Sequence, residues 1–162
     1  VLEKVTGKYG VLEIIDSASF FELTENTKKM IKDLVDSKNI HTLFFECHWI
    51  YRNKINEIRN YFKGEKIIDL ASKEYGQNIY KYLDIKPLRI EFKEETLKDG
   101  CIKLKTKATS SKILRGRMVN YMAKNDIVEI NELKNFSSDG YSFSDEFSDE
   151  NKFVFVKSLI SE

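Results

Sequence analysis

Apolar residues recur along this chain at two different intervals, and together these restrict the fold more than any other feature. Residues 88–92 (Leu-Arg-Ile-Glu-Phe) and 101–105 (Cys-Ile-Lys-Leu-Lys) largely alternate apolar and charged side chains, as strands with one buried face do. The turn-forming pair Asp99-Gly100 separates them, so we predict a β-hairpin. Elsewhere the apolar residues recur every three or four positions, which is the spacing of an amphipathic helix.

The helical spacing predicts helices near residues 26–36, 44–61, 73–83 and 111–124. Thr24 or Asn26 can cap the first of these, and Ser72 the third. Ser110 or Ser111 is expected to open the fourth. The second window places Cys47 on an apolar stripe, so we expect Cys47 to be a buried core residue that reacts slowly.

Further strands are predicted at residues 66–71, 141–143 and 153–156, the second of them directly after the turn pair Asp139-Gly140. Strands and helices are therefore mixed, which predicts an α+β (mixed α/β) fold with one mixed sheet and flanking helices. A length of 162 residues predicts a single domain over residues 1–162. The single proline, Pro87, favours regular elements with few breaks.

Charge is distributed unevenly, although the net charge is only +1. Residues 98–117 contain seven Lys or Arg and one acid, whereas residues 126–150 contain eight acids and one Lys. Such asymmetry can produce a basic face that binds nucleic acid, even on a nearly neutral protein. The alternative is that the two regions are ordinary solvated surfaces that pair with each other.

The strongest candidate site is the start of the predicted fourth helix. Unpaired amides and the positive end of the helix dipole favour an anion there. Ser111 adds a hydroxyl, Lys112 and Arg115 add charge, and Gly116 would let a phosphate or another backbone approach closely. With Arg117, these residues suit phosphate, either free or in nucleic acid. The alternative is a capped helix with solvated bases.

Three further groups of residues have side chains that suit a ligand or a metal ion. Lys103, Lys105 and Lys107 would share one face of a strand, where they could follow a phosphate backbone or protect a sheet edge. Lys54 and Lys73 could line a cleft at the carboxyl end of a strand, or simply be surface lysines. A metal site around residues 41–48 is not expected, because adjacent Cys and His side chains diverge on a helix.

Other features exclude several classes of protein. Two cysteines do not form a disulfide framework, and there is neither a secretory leader nor an apolar run of membrane-spanning length, so the expected compartment is the cytoplasm. No Ser-His-Asp arrangement or glycine-rich phosphate loop is present, and we expect no cofactor. The 19 Phe and Tyr residues do not by their number indicate base stacking, since most fall on predicted inner faces.

Several segments, taken in order, resemble one known family. They are residues 67–75 (Ile-Ile-Asp-Leu-Ala-Ser-Lys-Glu-Tyr), 112–118 (Lys-Ile-Leu-Arg-Gly-Arg-Met) and 140–143 (Gly-Tyr-Ser-Phe). Residues 7–12 (Gly-Lys-Tyr-Gly-Val-Leu) and 153–157 (Phe-Val-Phe-Val-Lys) add to the pattern. Together they resemble the carboxy-terminal part of the YaaA-type peroxide-stress family. Differences include Glu13 and Ile14 in place of the family's Arg and Pro.

The resemblance implies protection against hydrogen peroxide, linked to lower free iron and to binding of double-stranded DNA, and we expect a binding protein in preference to an enzyme. We find no counterpart of the family's amino-terminal portion and expect a fragment or a truncated relative. Two alternatives stay open: an enzyme acting on a phosphorylated or nucleotide-like small molecule, and an inactive fragment that needs its amino-terminal half. The sequence does not specify the oligomeric state, and no membrane partner is expected.

Overall fold

A computed structural model describes residues 4–14 and 19–159 of the chain. These residues form two compact units. Unit 1 contains the described residues up to Glu65 together with Ser72–Asp84. Unit 2 contains Lys66–Ala71 and the described residues from Ile85 onwards. The chain therefore enters unit 2 briefly at the third strand, returns to unit 1, and then completes unit 2.

Unit 1 contains two parallel strands and three α-helices, linked in part by short 3-10 turns. The strands are β1 (Val11–Ile14) and β2 (Thr42–Phe45), and the helices are α1 (Glu25–Ser37), α2 (Ile55–Tyr61) and α3 (Lys73–Ile79). The 3-10 turns span Phe20–Glu22, Trp49–Lys54 and Tyr80–Tyr82. Phe20, Ile31 and Ile58 are buried together at its centre.

Unit 2 is built on a mixed sheet with one long helix. Its strands are β3 (Ile68–Asp69), β4 (Leu88–Lys98), β5 (Cys101–Lys105), β6 (Ser137–Ser138), β7 (Tyr141–Phe143) and β8 (Lys152–Lys157), and its helix is α4 (Ala108–Lys124). The strand order is β3-β4-β8-β7-β6, and β5 also pairs with β4. The pair β4–β8 is parallel, whereas β5 and β7 run antiparallel to their partners.

The core of unit 2 centres on β8, whose residues Phe153–Val156 are all buried. The Phe155 ring lies 5.4 Å from that of Phe92 and 5.5 Å from that of Phe136, measured between centroids. Leu114 and Met118 are buried on α4. The Ser111 hydroxyl on the same helix donates a hydrogen bond to the Phe92 carbonyl at 3.4 Å, so α4 contacts β4 directly.

Much of the predicted fold is confirmed. The structure is mixed α/β, and β4 and β5 form the predicted hairpin, with Asp99 and Gly100 both at positive φ. Helix α1 begins after Thr24, whose hydroxyl accepts a hydrogen bond from the Thr27 amide at 3.2 Å. Ser72 caps α3 as predicted, although this helix ends at Ile79 and continues as a 3-10 turn.

The predicted helix at residues 44–61 is wrong in its first half. Phe44 lies in strand β2, Cys47 lies in the following loop, and α-helix begins only at Ile55. A short apolar run fits a buried strand as well as a helix, and here the neighbouring strand β1 pairs with it. The strand predicted at 66–71 is shorter and spans only Ile68–Asp69.

Among the residues that the structure describes, no helix is long and apolar enough to cross a membrane.

Candidate functional site

Helix α4 begins three residues earlier than predicted. It starts at Ala108, and Lys107 occupies the N-cap without a side-chain hydrogen bond to the first turn. The prediction that Ser110 or Ser111 opens the helix is therefore wrong, because both already lie inside the first turn. The Ser111 side chain is buried and its hydroxyl is used for the bond to the Phe92 carbonyl.

A carboxylate of the protein itself lies beside this helix start. Glu94, on β4, forms an ion pair with Lys107 and accepts a hydrogen bond of 2.5 Å from the Tyr141 hydroxyl. The hydrogen bond from Lys107, reinforced by Tyr141, lowers the pKa of Glu94. Burial, together with the bond to Glu94, raises the pKa of Tyr141 to about 12. Tyr141 therefore stays protonated and donates to an ionised Glu94 over the neutral pH range.

The basic residues of α4 differ in how far they are already neutralised. Arg117 forms an ion pair with Asp139 and donates a 2.8 Å hydrogen bond to the Ser138 hydroxyl. Lys112 is exposed and Arg115 is half-buried, and neither forms an ion pair with a residue in the described ranges 4–14 and 19–159. Of the basic side chains predicted for the site on α4, Lys112 and Arg115 are thus the ones that the described chain leaves without an ion pair.

Gly116 faces solvent on α4. A Cβ atom built at this position would meet no heavy atom within 4 Å outside its own stretch of helix. No other described element therefore packs closely against Gly116 in the chain itself. Room for an external ligand remains, because the residue is exposed.

The lysine row predicted on one strand face is broken. Strand β5 ends at Lys105, so Lys103 and Lys105 share a face whereas Lys107 belongs to the start of α4. The Nζ atom of Lys103 lies 3.8 Å from a carboxylate oxygen of Asp99.

The two remaining predicted residues belong to unit 1, whereas Ser111, Lys112, Arg115, Gly116 and Arg117 belong to unit 2. Lys54 ends the 3-10 turn Trp49–Lys54, and its Nζ atom lies 5.9 Å from the centroid of the Phe21 ring. Lys73 is the exposed first residue of α3.

Sequence reasoning missed Glu94 and Tyr141 as members of this site. One signal was present: Glu94 lies two and four residues beyond Phe92 and Ile90, so the strand period puts its carboxylate on the face that buries those side chains. A carboxylate at such a position needs partners, and the structure supplies Lys107 and Tyr141.

The Cys47 and His48 pair forms no metal centre within the described residues, where no group of three or more His, Cys, Asp or Glu could hold an ion. The expectation that Cys47 is a buried core residue is wrong: it lies in a loop, it is half-buried, and its thiol donates to the His48 carbonyl at 3.5 Å. Burial raises the pKa of Cys47, partly opposed by hydrogen bonds involving Ser19 and Tyr75. The ring of His48 instead accepts a hydrogen bond from the Ile50 amide at the start of the 3-10 turn.

Comparison with known proteins identifies relatives over almost the whole chain. A family model described as "Peroxide stress protein YaaA" matches residues 5–147. This match covers nearly the whole chain and does not support the expectation that the family's amino-terminal portion has no counterpart here.

Two curated relatives illustrate the similarity. A UPF0246 protein of Finegoldia magna is 56% identical over 161 residues, which is 99% of this chain and 59% of that protein. A UPF0246 protein of Ligilactobacillus salivarius is 36% identical over 94% of this chain and 57% of its own length. The chain thus spans less than two thirds of the length of these relatives.

Among solved structures, a queuine lyase from Clostridium spiroforme bound to SAM and queuine covers 74% of this chain and 54% of its own. The identity is 25% and the TM-score is 0.39, which is too low to support an argument about fold or activity.

Proposed function

The chain belongs to the YaaA peroxide-stress family, and from this premise we propose that it acts in the cytoplasm under peroxide stress by binding double-stranded DNA. The contact is made by the basic side chains of α4 with phosphate oxygens. Such contacts position a protein on the duplex without reading its sequence. The protein therefore binds unrelated duplexes with similar affinity.

One observation carries this proposal: Lys112 and Arg115 lie in the amino-terminal half of α4 and form no ion pair within the described chain. They are three residues apart, so both project from neighbouring positions on the helix surface. Arg117 and Lys107 contribute less, because Asp139 and Glu94 already pair with them.

The number of basic side chains without an ion pair sets the expected change in the salt dependence of DNA binding. Each phosphate contact that is lost lowers the dependence of log affinity on log salt by about 0.9 units on duplex DNA. Loss of Lys112 and Arg115 should therefore flatten the slope by about 2 units. Substituting Arg117 alone should flatten it less, because Asp139 competes with DNA for that guanidinium.

The experiment compares wild type with the double variant Lys112→Ala/Arg115→Ala. Fluorescence anisotropy on two short duplexes of unrelated sequence, between about 50 and 200 mM salt, gives affinity and slope for each. We expect weaker binding by a similar factor on both duplexes, with an unchanged circular dichroism spectrum. A matched control, Lys29→Ala/Lys38→Ala, removes the same charge from exposed positions of unit 1 and should retain the wild-type slope.

Equal affinity and slope for wild type and the Lys112→Ala/Arg115→Ala variant, with both folded, would contradict the proposal. A stoichiometric, weakly salt-dependent site for a small phosphate ester would instead favour an enzyme acting on a phosphorylated small molecule. The salt titration distinguishes the two outcomes, because binding to a polyanion falls steeply with salt.

A further inference from the structure

A group of aromatic and basic side chains lies on the surface of unit 1, whereas the charges used in the preceding proposal belong to unit 2. We name it the Trp49 platform, formed by Trp49, Arg52, Lys81 and Tyr82. The guanidinium carbon of Arg52 lies 4.8 Å from the centroid of the Trp49 ring and 5.6 Å from that of Tyr82. The Nζ atom of Lys81 lies 5.1 Å from the Tyr82 centroid.

Trp49 does not belong to the buried core of unit 1. It is 51% exposed, as is about half of the neighbouring Ile50 side chain. Cation–π contact at an exposed site contributes only about 0.5–1 kcal/mol. That contribution does not require a tryptophan, since Phe or Tyr would serve nearly as well. A large aromatic surface is therefore left open to solvent beside an arginine.

The platform is fixed in position by polar contacts on both of its segments. The Nη1 atom of Arg52 donates to the Trp49 carbonyl at 3.3 Å, which holds the guanidinium over the ring. The Asn56 side chain donates to the Tyr82 carbonyl at 2.7 Å and accepts from the Asp84 amide at 3.3 Å. Asp84 in turn forms a 2.5 Å ion pair with Arg59.

The basic side chains around the platform are not neutralised by ion pairs, although Glu22 accepts a hydrogen bond from Tyr51 in the same turn. Arg52, Lys54 and Lys81 form no ion pair with residues in the described parts of the chain, and the turn Trp49–Lys54 contains no acid. The acid closest in sequence on the other segment, Asp84, is already paired with Arg59. The surface therefore combines an open aromatic face with unneutralised cations, which is the chemistry that binds an aromatic ring attached to a phosphate.

We propose that the Trp49 platform stacks an unpaired nucleobase of a single-stranded nucleic acid, while Arg52 and Lys81 contact the adjoining phosphates. Bases within a duplex cannot reach this surface, because their faces are covered by neighbouring bases. The site thus recognises a different form of nucleic acid from the α4 site and does not depend on it. Every base has a stacking face, so recognition tolerates sequence differences.

The chain offers a direct spectroscopic test, because Trp49 is its single tryptophan. Intrinsic fluorescence should be quenched, with saturation, by a short oligodeoxythymidylate. An abasic strand of the same length carries the same phosphates and should quench little, as should a duplex. Thymidine monophosphate tests whether the site prefers a strand to a free nucleotide. We expect it to quench weakly and to reach the same endpoint only at much higher concentration.

Variants test the residues by anisotropy with a dye-labelled oligodeoxythymidylate. Trp49→Ala should weaken binding at least about fivefold, and Trp49→Phe should restore part of it, since an aromatic face is regained. Tyr9→Ala is the matched control, because Tyr9 is also an exposed aromatic residue of unit 1 with a lysine near its ring. It should bind like wild type.

The two proposals fail separately. Lys112→Ala/Arg115→Ala should leave the oligodeoxythymidylate quenching unchanged within about twofold, and Trp49→Ala should leave duplex affinity unchanged within the same limit. Equal quenching by the abasic and base-bearing strands would overturn the stacking proposal. So would wild-type affinity of folded Trp49→Ala for the labelled strand.

Discussion

Replacement of Tyr141 by Phe removes the hydrogen bond that the phenol donates to Glu94, together with its contact with the Ser110 hydroxyl. The Tyr141 side chain is 3% exposed, so the substitution leaves the buried ring in place and removes only the hydroxyl. A hydrogen bond to a charged group contributes about 1.5–3 kcal/mol. Because Glu94 keeps its ion pair with Lys107, we expect the lower part of this range, about 2 kcal/mol.

The assay is urea unfolding followed by far-UV circular dichroism, since Trp49 fluorescence reports on unit 1 only. In thermal unfolding, about 2 kcal/mol corresponds to a fall in Tm of about 4–8 °C for a chain of this size. Tyr121→Phe is the matched control. The Tyr121 hydroxyl makes only a 3.4 Å bond to a backbone carbonyl, so its loss should cost less than about 0.5 kcal/mol.

The pH dependence provides a second measurement. The folded state lowers the pKa of Glu94 below its ordinary value of 4.5, so its stabilisation is present above that pH and is lost as pH falls through the lowered value. The pKa of Tyr141 is raised to about 12, so its contribution is complete below 10 and is lost between about 10 and 12. The difference between wild type and Tyr141→Phe should therefore shrink at both extremes.

A Tyr141→Phe protein as stable as wild type at pH 7 would refute the reasoning, as would a difference from wild type that does not change with pH. The first result would mean that the hydroxyl gains as much from water in the unfolded chain as from Glu94. The second would mean that the effect comes from packing and not from the charge on Glu94.

The remaining predictions concern stability and thiol reactivity. Gly116→Ala should stabilise the chain by about 0.5–1 kcal/mol, because the position is helical and open. Gly7→Ala should cost at least about 1 kcal/mol, since its φ is +70° and the carbonyl oxygen of Lys38 would lie 2.7 Å from the new Cβ. Urea unfolding measures the free energy of unfolding of both variants. A chromogenic thiol reagent should label the exposed Cys101 quickly and the half-buried Cys47 slowly in the native state, with equal rates appearing only in denaturant. Phe155→Ala should cost about 3–5 kcal/mol, because its ring is fully buried, and should abolish cooperative unfolding of unit 2.

Local signals predicted the elements whose partners are close in sequence. The β4–β5 hairpin followed from alternation around Asp99-Gly100, and α1 followed from its spacing and the cap at Thr24. The helix predicted from residue 44 failed because β2 is defined by pairing with β1, a strand about 30 residues earlier. Periodicity within a window carries no information about such a partner.

The sequence indicated the basic residues of the candidate site but not the ion pairs and hydrogen bonds around them. The excess of bases in residues 98–117 indicated a basic tract that includes Lys112 and Arg115. The sequence did not indicate that Asp139 neutralises Arg117, nor that Tyr141 meets Glu94, from which it is separated by 47 positions. These contacts depend on the order of strands in the sheet, which brings together segments that are distant along the chain.

The position of β8 has a consequence for synthesis of the protein on the ribosome. This strand lies between β4 and β7, yet it is the last strand of the described chain. At ordinary rates of translation, β4 waits on the order of 3 to 12 seconds before β8 is made. During that interval the apolar side chains of β4 lack their main partner and expose surface of the kind that chaperones bind.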